Sequence, residues 1–397
     1  MSVEAKAVAQ PAEVERFQTD RVLTISAGHA VHDTYTGFLS PLLPAFIESF
    51  ALSKTEAGLL TVFNQGPSLL QPFIGHLADR VSLRYLVILA PGVSASAMSL
   101  LGIAPGYAVL ALLLMATGLS SAALHSVAPV MAGRLSGKSL GRGMGFWMVG
   151  GELGRALGPL VIAAYFVARP DSLASMPWLM VGGWLASLLL FVSLRDVPGR
   201  PANAGLGLPW RQALKVMGPL LVPLVGVIFA RSFMSAALTT YLPVFLTEEG
   251  AELWFAGISL SVLEAAGVVG ALLGGALSDR IGRRATLFIS LATTPVLMFA
   301  FLAAHGWLRF PLLLALGLTS LSVVPVIMAL VQETSPENRA LANGTYMALS
   351  FGIRSSVVVV VGAMGDLWGM RPAFTISAVI PLLGLPFLLM LPARRQQ

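Results

Sequence analysis

About six strongly charged residues lie inside stretches that are otherwise apolar, and these are the residues able to do chemistry: Asp33, Glu152 and Glu264 against Arg155, Arg231 and Arg354. A charge at the centre of a membrane costs about 2.5–3.5 kcal/mol on insertion scales, so each needs a partner or a water-filled cavity. Asp33, flanked by His29 and His32, is the first candidate for a proton carrier. Burial disfavours an ionised carboxylate and a nearby arginine favours it, so a carboxylate whose arginine partner changes between two states takes up and releases a proton. Histidine needs only a small perturbation to do the same near neutral pH. The competing reading makes Asp33 a permanently paired residue tied to Arg231.

Glu152 and Arg155 are spaced to meet on one helix face, either as a self-neutralised pair or as part of a coupling network with Glu264. Arg231, Arg354 and Arg155 could clamp an anion, since a guanidinium offers forked donors suited to carboxylate or phosphate. Alternatively they are network or gate residues, and the balance of signs leans that way. His125 sits among Ser120, Ser121 and Ser126 and is a candidate for substrate or proton contact, or a packing residue. Tyr35, Trp147, Tyr241 and Tyr346 are candidates for the wall of a substrate cavity.

The elements that must hold these residues follow from composition. Of 397 residues, 56% are hydrophobic and 11% charged, against about 25% charged in a soluble domain. Too few charges remain to cover a water-soluble surface. The apolar residues fall in blocks of about 20, each able to cross a hydrocarbon core of about 30 Å as a helix. About twelve spans are expected, near 22–46, 54–78, 84–104, 107–133, 142–167, 174–195, 216–246, 253–277, 285–304, 310–331, 340–364 and 371–392. Ser53 with Glu56 signals the start of the second span by a capping box.

The lysines and arginines sit in turns. Roughly eighteen fall on one side of the spans and about four on the other, which places the richer side and both termini in the cytoplasm. The net charge of +6 is thereby explained by topology, and no nucleic-acid partner is expected. Residues 1–20 are expected to be a cytoplasmic tail, 21–195 a first six-helix bundle, 196–213 a Pro- and Gly-rich linker, 214–392 a second bundle and 393–397 a short cytoplasmic tail. The absence of cysteine excludes disulfides and thiolate chemistry.

The chain repeats itself. Gly75-His-Leu-Ala-Asp79-Arg80-Val-Ser-Leu-Arg84 returns as Gly275-Ala-Leu-Ser-Asp279-Arg280-Ile-Gly-Arg283-Arg284. Pro44 matches Pro243 and Gly145 matches Gly344, at nearly the same offset, which sets Arg155 opposite Arg354 and His32 opposite Arg231. Duplicated halves related by an axis along the membrane normal belong to alternating-access transporters. Asp79 and Asp279 are expected to meet a helix N-terminus, where the macrodipole favours an anion, and Arg80 and Arg280 to pair with neighbouring helices.

These residues resemble the major facilitator superfamily, whose signature after the second helix is Gly-x-Leu-x-Asp-Arg-x-Gly-Arg-Arg. The second copy fits nearly throughout, while the first has Ser82 in place of a glycine. Gly154-Arg-Ala-Leu-Gly158-Pro159 is similar to the fifth-helix signature of antiporters in that superfamily. His29-x-x-His32-Asp33, Pro41-Leu-Leu-Pro44 and Gly118-Leu-Ser-Ser with His125 look like its fosmidomycin-resistance branch, a group of drug:proton antiporters. Ser126 and Val127 depart from the proline that usually follows that histidine. The resemblance implies an all-α polytopic fold of two pseudo-symmetric six-helix bundles, with the motif turns stabilising the outward-open form.

The function expected is proton-coupled transport by alternating access, as an efflux antiporter for a small drug-like or anionic organic compound. An uptake or exchange carrier for organic anions built on the intramembrane arginines is the alternative. A multi-pass protein of the cell's inner or plasma membrane is expected, a monomer, with protons and a small-molecule substrate as partners. The proton gradient supplies the energy, and neither a cofactor nor a metal is expected. The motifs of an intramembrane enzyme are missing: there is no His-Glu-x-x-His and no Gly-x-Ser-x-Gly.

Overall fold

The computed structural model describes residues 16–78, 83–137, 139–170, 172–197, 210–334 and 339–391, and among them all regular structure is helical. Asp79, Arg80, Ser82, most of the expected linker, residues 1–15 of the first tail and the whole of the last tail lie outside the described residues. The first half holds α1 (Thr19–Thr36) and α2 (Leu39–Phe50), then α3 (Lys54–Gln65) and α4 (Gln71–Ala78), α5 (Arg84–Leu100), α6 (Tyr107–Leu135), α7 (Leu140–Ala168) and α8 (Met180–Leu194). The second half holds α9 (Trp210–Ser235) and α10 (Leu242–Glu248), α11 (Leu253–Ile281), α12 (Arg283–Ala303), α13 (Arg309–Ser320) and α14 (Val323–Thr334), α15 (Arg339–Trp368), then α16 (Met370–Val379) and α17 (Leu385–Met390).

Among the described residues, ten segments are long and apolar enough to cross a membrane. The two remaining spans are broken helices. α1 gives way to α2 at Gly37, and α3 reaches α4 through a 3₁₀ turn at Gly66–Leu70. The seventh span is interrupted at the place related by the repeat: a π-helical stretch, Ala236–Tyr241, precedes Pro243. Proline has no N–H to donate and its ring crowds the carbonyl one turn back, so the helix widens before it. Elsewhere the chain turns tightly, α5 running by a 3₁₀ turn to Ile103 and α6 starting at Tyr107.

The halves meet on the side away from the repeated motif. There α3 packs along α15, α2 touches α10, and α11 crosses α7 where Gly257 comes against Pro159 and Ala163. α4, on the motif side, barely touches α15. The contact is sealed by polar groups as well as packing. Asp366 of α15 accepts hydrogen bonds from the backbone N–H of Lys54 at 2.7 Å and of Thr55 at 2.9 Å. Tyr241 donates toward the carbonyls of Lys54, 2.9 Å away, and Val358, 3.0 Å away, while Lys54 Nζ lies 2.8 Å from Glu248 Oε1. Gly58 and Gly362 make room for that hydroxyl, since a Cβ at either would fall on it.

The expected capping box is present: Ser53 N–H donates to Glu56 Oε2 at 2.8 Å, and Glu56 N–H to Ser53 Oγ at 3.1 Å. On the motif side, α11 stops at Gly282, whose φ of +95° lies in the region that favours glycine. Asp279 pairs with the side chain of Arg283, the first residue of α12, at 2.6 Å, and Arg283 continues to Glu333 on α14 at 2.7 Å. Arg284 donates to the Leu389 carbonyl at 2.7 Å. In the first copy, Arg84 donates to the Val197 carbonyl at 3.2 Å, and Gly75 lies within α4.

Candidate functional site

The polar centre of the first half is built by α1, α6 and α7. Glycines on α7 bring α1 into backbone contact: a Cβ at Gly154 would lie 2.8 Å from Asp33 Cβ, and one at Gly158 would lie 2.9 Å from Gly37 Cα. A Cβ at Gly151 would collide with the His29 ring. The small residues therefore set the distance at which α1 delivers its histidines and aspartate. Pro159 sits within α7, one residue beyond this stripe.

Asp33 is buried among three histidines. Its Oδ2 lies 3.4 Å from His29 Nε2, and its Oδ1 lies 3.9 Å from His32 Nε2 and 4.0 Å from His125 Nε2. His29 stacks on Trp147 with ring centroids 3.6 Å apart. Its Nδ1 lies 3.0 Å from the Trp147 carbonyl, and His125 Nδ1 lies 2.9 Å from the Ser121 carbonyl. A carbonyl only accepts, so both Nδ1 atoms carry hydrogen. In the neutral rings each Nε2 is then an acceptor, yet the two Nε2 atoms face each other at 3.1 Å with the Asp33 carboxylate beside them. Three acceptors converge, and a shared proton or another cation bound among them satisfies all three. His32 is fully buried, its Nδ1 3.4 Å from the Ala90 carbonyl and its Nε2 without a hydrogen-bond partner.

A second group straddles the halves. Glu152 and Arg155 of α7 form an ion pair, and 48% of the Arg155 side chain is accessible although it lies midway along the helix. Glu264 of α11 lies within electrostatic reach of Arg155 and of Arg354 on α15. These partners belong to both halves, so the charges of this group span the contact between them. Arg354 donates to Thr239 Oγ1 at 2.8 Å, inside the π-helical stretch, and its Nε has no hydrogen-bond partner.

Several sequence expectations change. Asp33 is paired with histidines, and among the described residues neither Arg231 nor any other arginine forms an ion pair with it. Arg231 points into the second half, where it lines a cavity of about 20 Å³ with Ser290, Thr294 and Ser320. This mirrors His32, which faces Ala90 beside Ser120, as the repeat places it. The aromatic residues expected on a cavity wall are packing residues. Tyr35 is buried against Phe38 with its hydroxyl on the Leu179 carbonyl. Tyr241 is committed to the seal between halves, Tyr346 is buried in the core of the second half, and Trp147 is the platform under His29. The physical reason is shared: each hydroxyl or ring finds its partner within the protein, as buried polar groups must. Asp366 is absent from the sequence reading. Its signal was an acid two residues from the end of a helix, where the macrodipole opposes an anion and demands a partner.

Paired helical halves, each of six spans, with buried ionisable groups at the centre and a polar seal between them, define a membrane transporter. The family model for the Major Facilitator Superfamily matches residues 25–353 and 265–397, and the chain belongs to that superfamily. It is 25% identical over 376 residues to the fosmidomycin resistance protein of Escherichia coli (strain K12), covering 91% of this chain and 90% of that one. It is 25% identical to the class G tetracycline resistance protein of Vibrio anguillarum, over 79% of this chain and 82% of that one. Among solved structures, a bacterial homolog of the human lysosomal transporter Spinster, inward-facing and occupied, superposes with a TM-score of 0.77 at 16% identity, covering 94% and 96% of the two chains. The nucleoside transporter NupG gives 0.74 at 14% identity, with 94% and 100% covered. The enzyme alternative falls with the family, which is one of transporters.

Proposed function

We propose that this chain exports a small organic compound in exchange for protons, and that the described form is inward-facing, open on the motif side. The observation that carries the coupling is the convergence of His29 Nε2, His125 Nε2 and Asp33 on one point with both Nδ1 atoms committed as donors. The site demands a proton in this form, and it can release one when α7 and α1 shift and water reaches it. Efflux is supported by the two resistance proteins, each of which matches this chain over most of its length. The excess of Lys and Arg on the motif side supports a cytoplasmic location for that side and for both termini.

The substrate path in this reading runs past the charged group of Arg155, Glu152, Glu264 and Arg354, which suits a drug-like compound or an organic anion. The turn of Arg231 into its own half weighs against the three-arginine clamp of an anion exchanger. The test is transport of fosmidomycin by the purified protein in liposomes under an imposed pH gradient. Native protein should accumulate the compound against its gradient on the acidic side, and Asp33→Asn should abolish gradient-driven accumulation while leaving downhill exchange. Accumulation in Asp33→Asn equal to native would sink the coupling.

A further inference from the structure

We propose that His29, His125 and Asp33 form a binding site for a divalent transition-metal ion, Zn²⁺ being the best fit, which competes with the transported proton. The binding stands on geometry alone; its consequence for transport rests on the proton-exchange reading above. In a tetrahedral zinc site with bonds of about 2.0–2.1 Å, neighbouring donor atoms lie about 3.3 Å apart. Here the two Nε2 atoms are 3.1 Å apart, His29 Nε2 and Asp33 Oδ2 are 3.4 Å apart, and His125 Nε2 and Asp33 Oδ1 are 4.0 Å apart. All three side chains offer one ligand atom within 4.8 Å of the others.

The outer contacts match as well. A ligating histidine donates its other ring N–H to a carbonyl or carboxylate, which fixes the ring and its tautomer. Both histidines do so, His29 to the Trp147 carbonyl and His125 to that of Ser121. His32 stands beside this cluster and outside it: it is 0% exposed, and its Nε2 has no hydrogen-bond partner and lies 3.9 Å from Asp33 Oδ1. Two imidazoles with one carboxylate suit Zn²⁺ and disfavour Mg²⁺ and Ca²⁺, which take oxygen ligands. The chain has 5 histidines and no cysteine, so no thiolate competes for the ion.

The test uses the full chain in detergent, titrated with Co²⁺ as a spectroscopic stand-in and then with Zn²⁺. One ion per chain is expected, with the intense visible bands of tetrahedral cobalt bleached by Zn²⁺. His125→Gln and Asp33→Asn should each weaken binding by about 100-fold or more, given that losing even an outer contact costs 10–100-fold. His305→Gln, an exposed histidine remote from the cluster, should bind as native, and unchanged melting of His125→Gln or Asp33→Asn qualifies that variant as folded. No saturable binding, the weak spectrum of six-coordinate cobalt, or native affinity in both ligand variants would overturn the site. In liposomes, micromolar Zn²⁺ should inhibit proton-driven exchange by native protein; uninhibited exchange at saturating Zn²⁺ would overturn the competition. Zn²⁺ binding as expected together with transport indifferent to the pH gradient would support the metal site and remove the proton reading instead.

Discussion

Removing the Asp366 carboxylate should open the seal between the halves. The first helical turn of α3 leaves four N–H groups without intrahelical partners, and all four are satisfied. Ser53 N–H goes to Glu56, Glu56 N–H to Ser53, and Lys54 and Thr55 N–H to Asp366 from the other half. Only the last two bonds are lost when the halves part, and water can replace them. A side-chain cap of this kind is worth about 0.5–2 kcal/mol, and an anion at a helix N-terminus adds about 0.3–1 kcal/mol. Because Asp366 is exposed, the lower part of the combined range applies, about 1–2 kcal/mol, or a factor of about 5–30 in the ratio of sealed to open forms. The chain has no cysteine, so spin labels at Ala174→Cys and Ala303→Cys, exposed positions at the sealed end of each half, report the opening directly. Asp366→Ala should shift the distance distribution toward longer separations by that factor, and Asp366→Glu should shift it less. A change below twofold in Asp366→Ala would refute the latch.

Gly154→Leu should cost about 1–3 kcal/mol of stability, the usual penalty of overpacking, because its side chain would displace Asp33 and the α1 backbone; thermal unfolding in detergent measures it. Glu249, outside the spans, is held below the ordinary carboxylate range first by hydrogen bonds from Arg371, with the charge of Arg371 and the hydrogen bond and charge of Arg309 adding to them against the opposing effect of burial. Its folded pKa is depressed, so its contribution to stability is complete above the unfolded value of about 4.3 and is lost as pH falls through the lower folded value. The melting temperature of Glu249→Gln should therefore fall below native at pH 7, with the gap closing only below about pH 4; a gap that closes between pH 7 and 5 would contradict the assignment.

The fold was legible in the sequence because a membrane imposes a strong rule: every span must be helical and long. The repeat, the capping box at Ser53 and the glycine at 282 are local signals, and the structure carries each at its position. What the sequence could not tell was partnership across helices. Asp33 lies one residue from His32 in the chain, but its neighbour His125 comes from α6 and the platform Trp147 from α7, and no local spacing encodes that meeting. Charge counting pointed Asp33 at Arg231 because the signs balance, whereas the repeat, which set His32 opposite Arg231, already implied that both face the interior of their own half. The tyrosines were misplaced for a related reason, since an aromatic ring in an apolar span has the same sequence signature in a core as on a cavity wall.

The two polar groups are joined by one helix. α7 holds His29 through the Trp147 carbonyl, packs Gly154 on Asp33, and carries Glu152 and Arg155 on the same turns. Arg155 in turn lies within electrostatic reach of Asp33 in its own half and Glu264 in the other. A change of charge in the histidine cluster therefore acts on the contact between halves through a single rigid element, without a chain of intermediates. The glycine stripe makes this transmission short-ranged: with backbones in contact, a shift of α1 cannot be absorbed by side-chain rotamers and must move α7. In the proposed proton exchange, coupling would then lie in the packing between α1 and α7, and the seal at Asp366 would set the balance between the sealed and open forms.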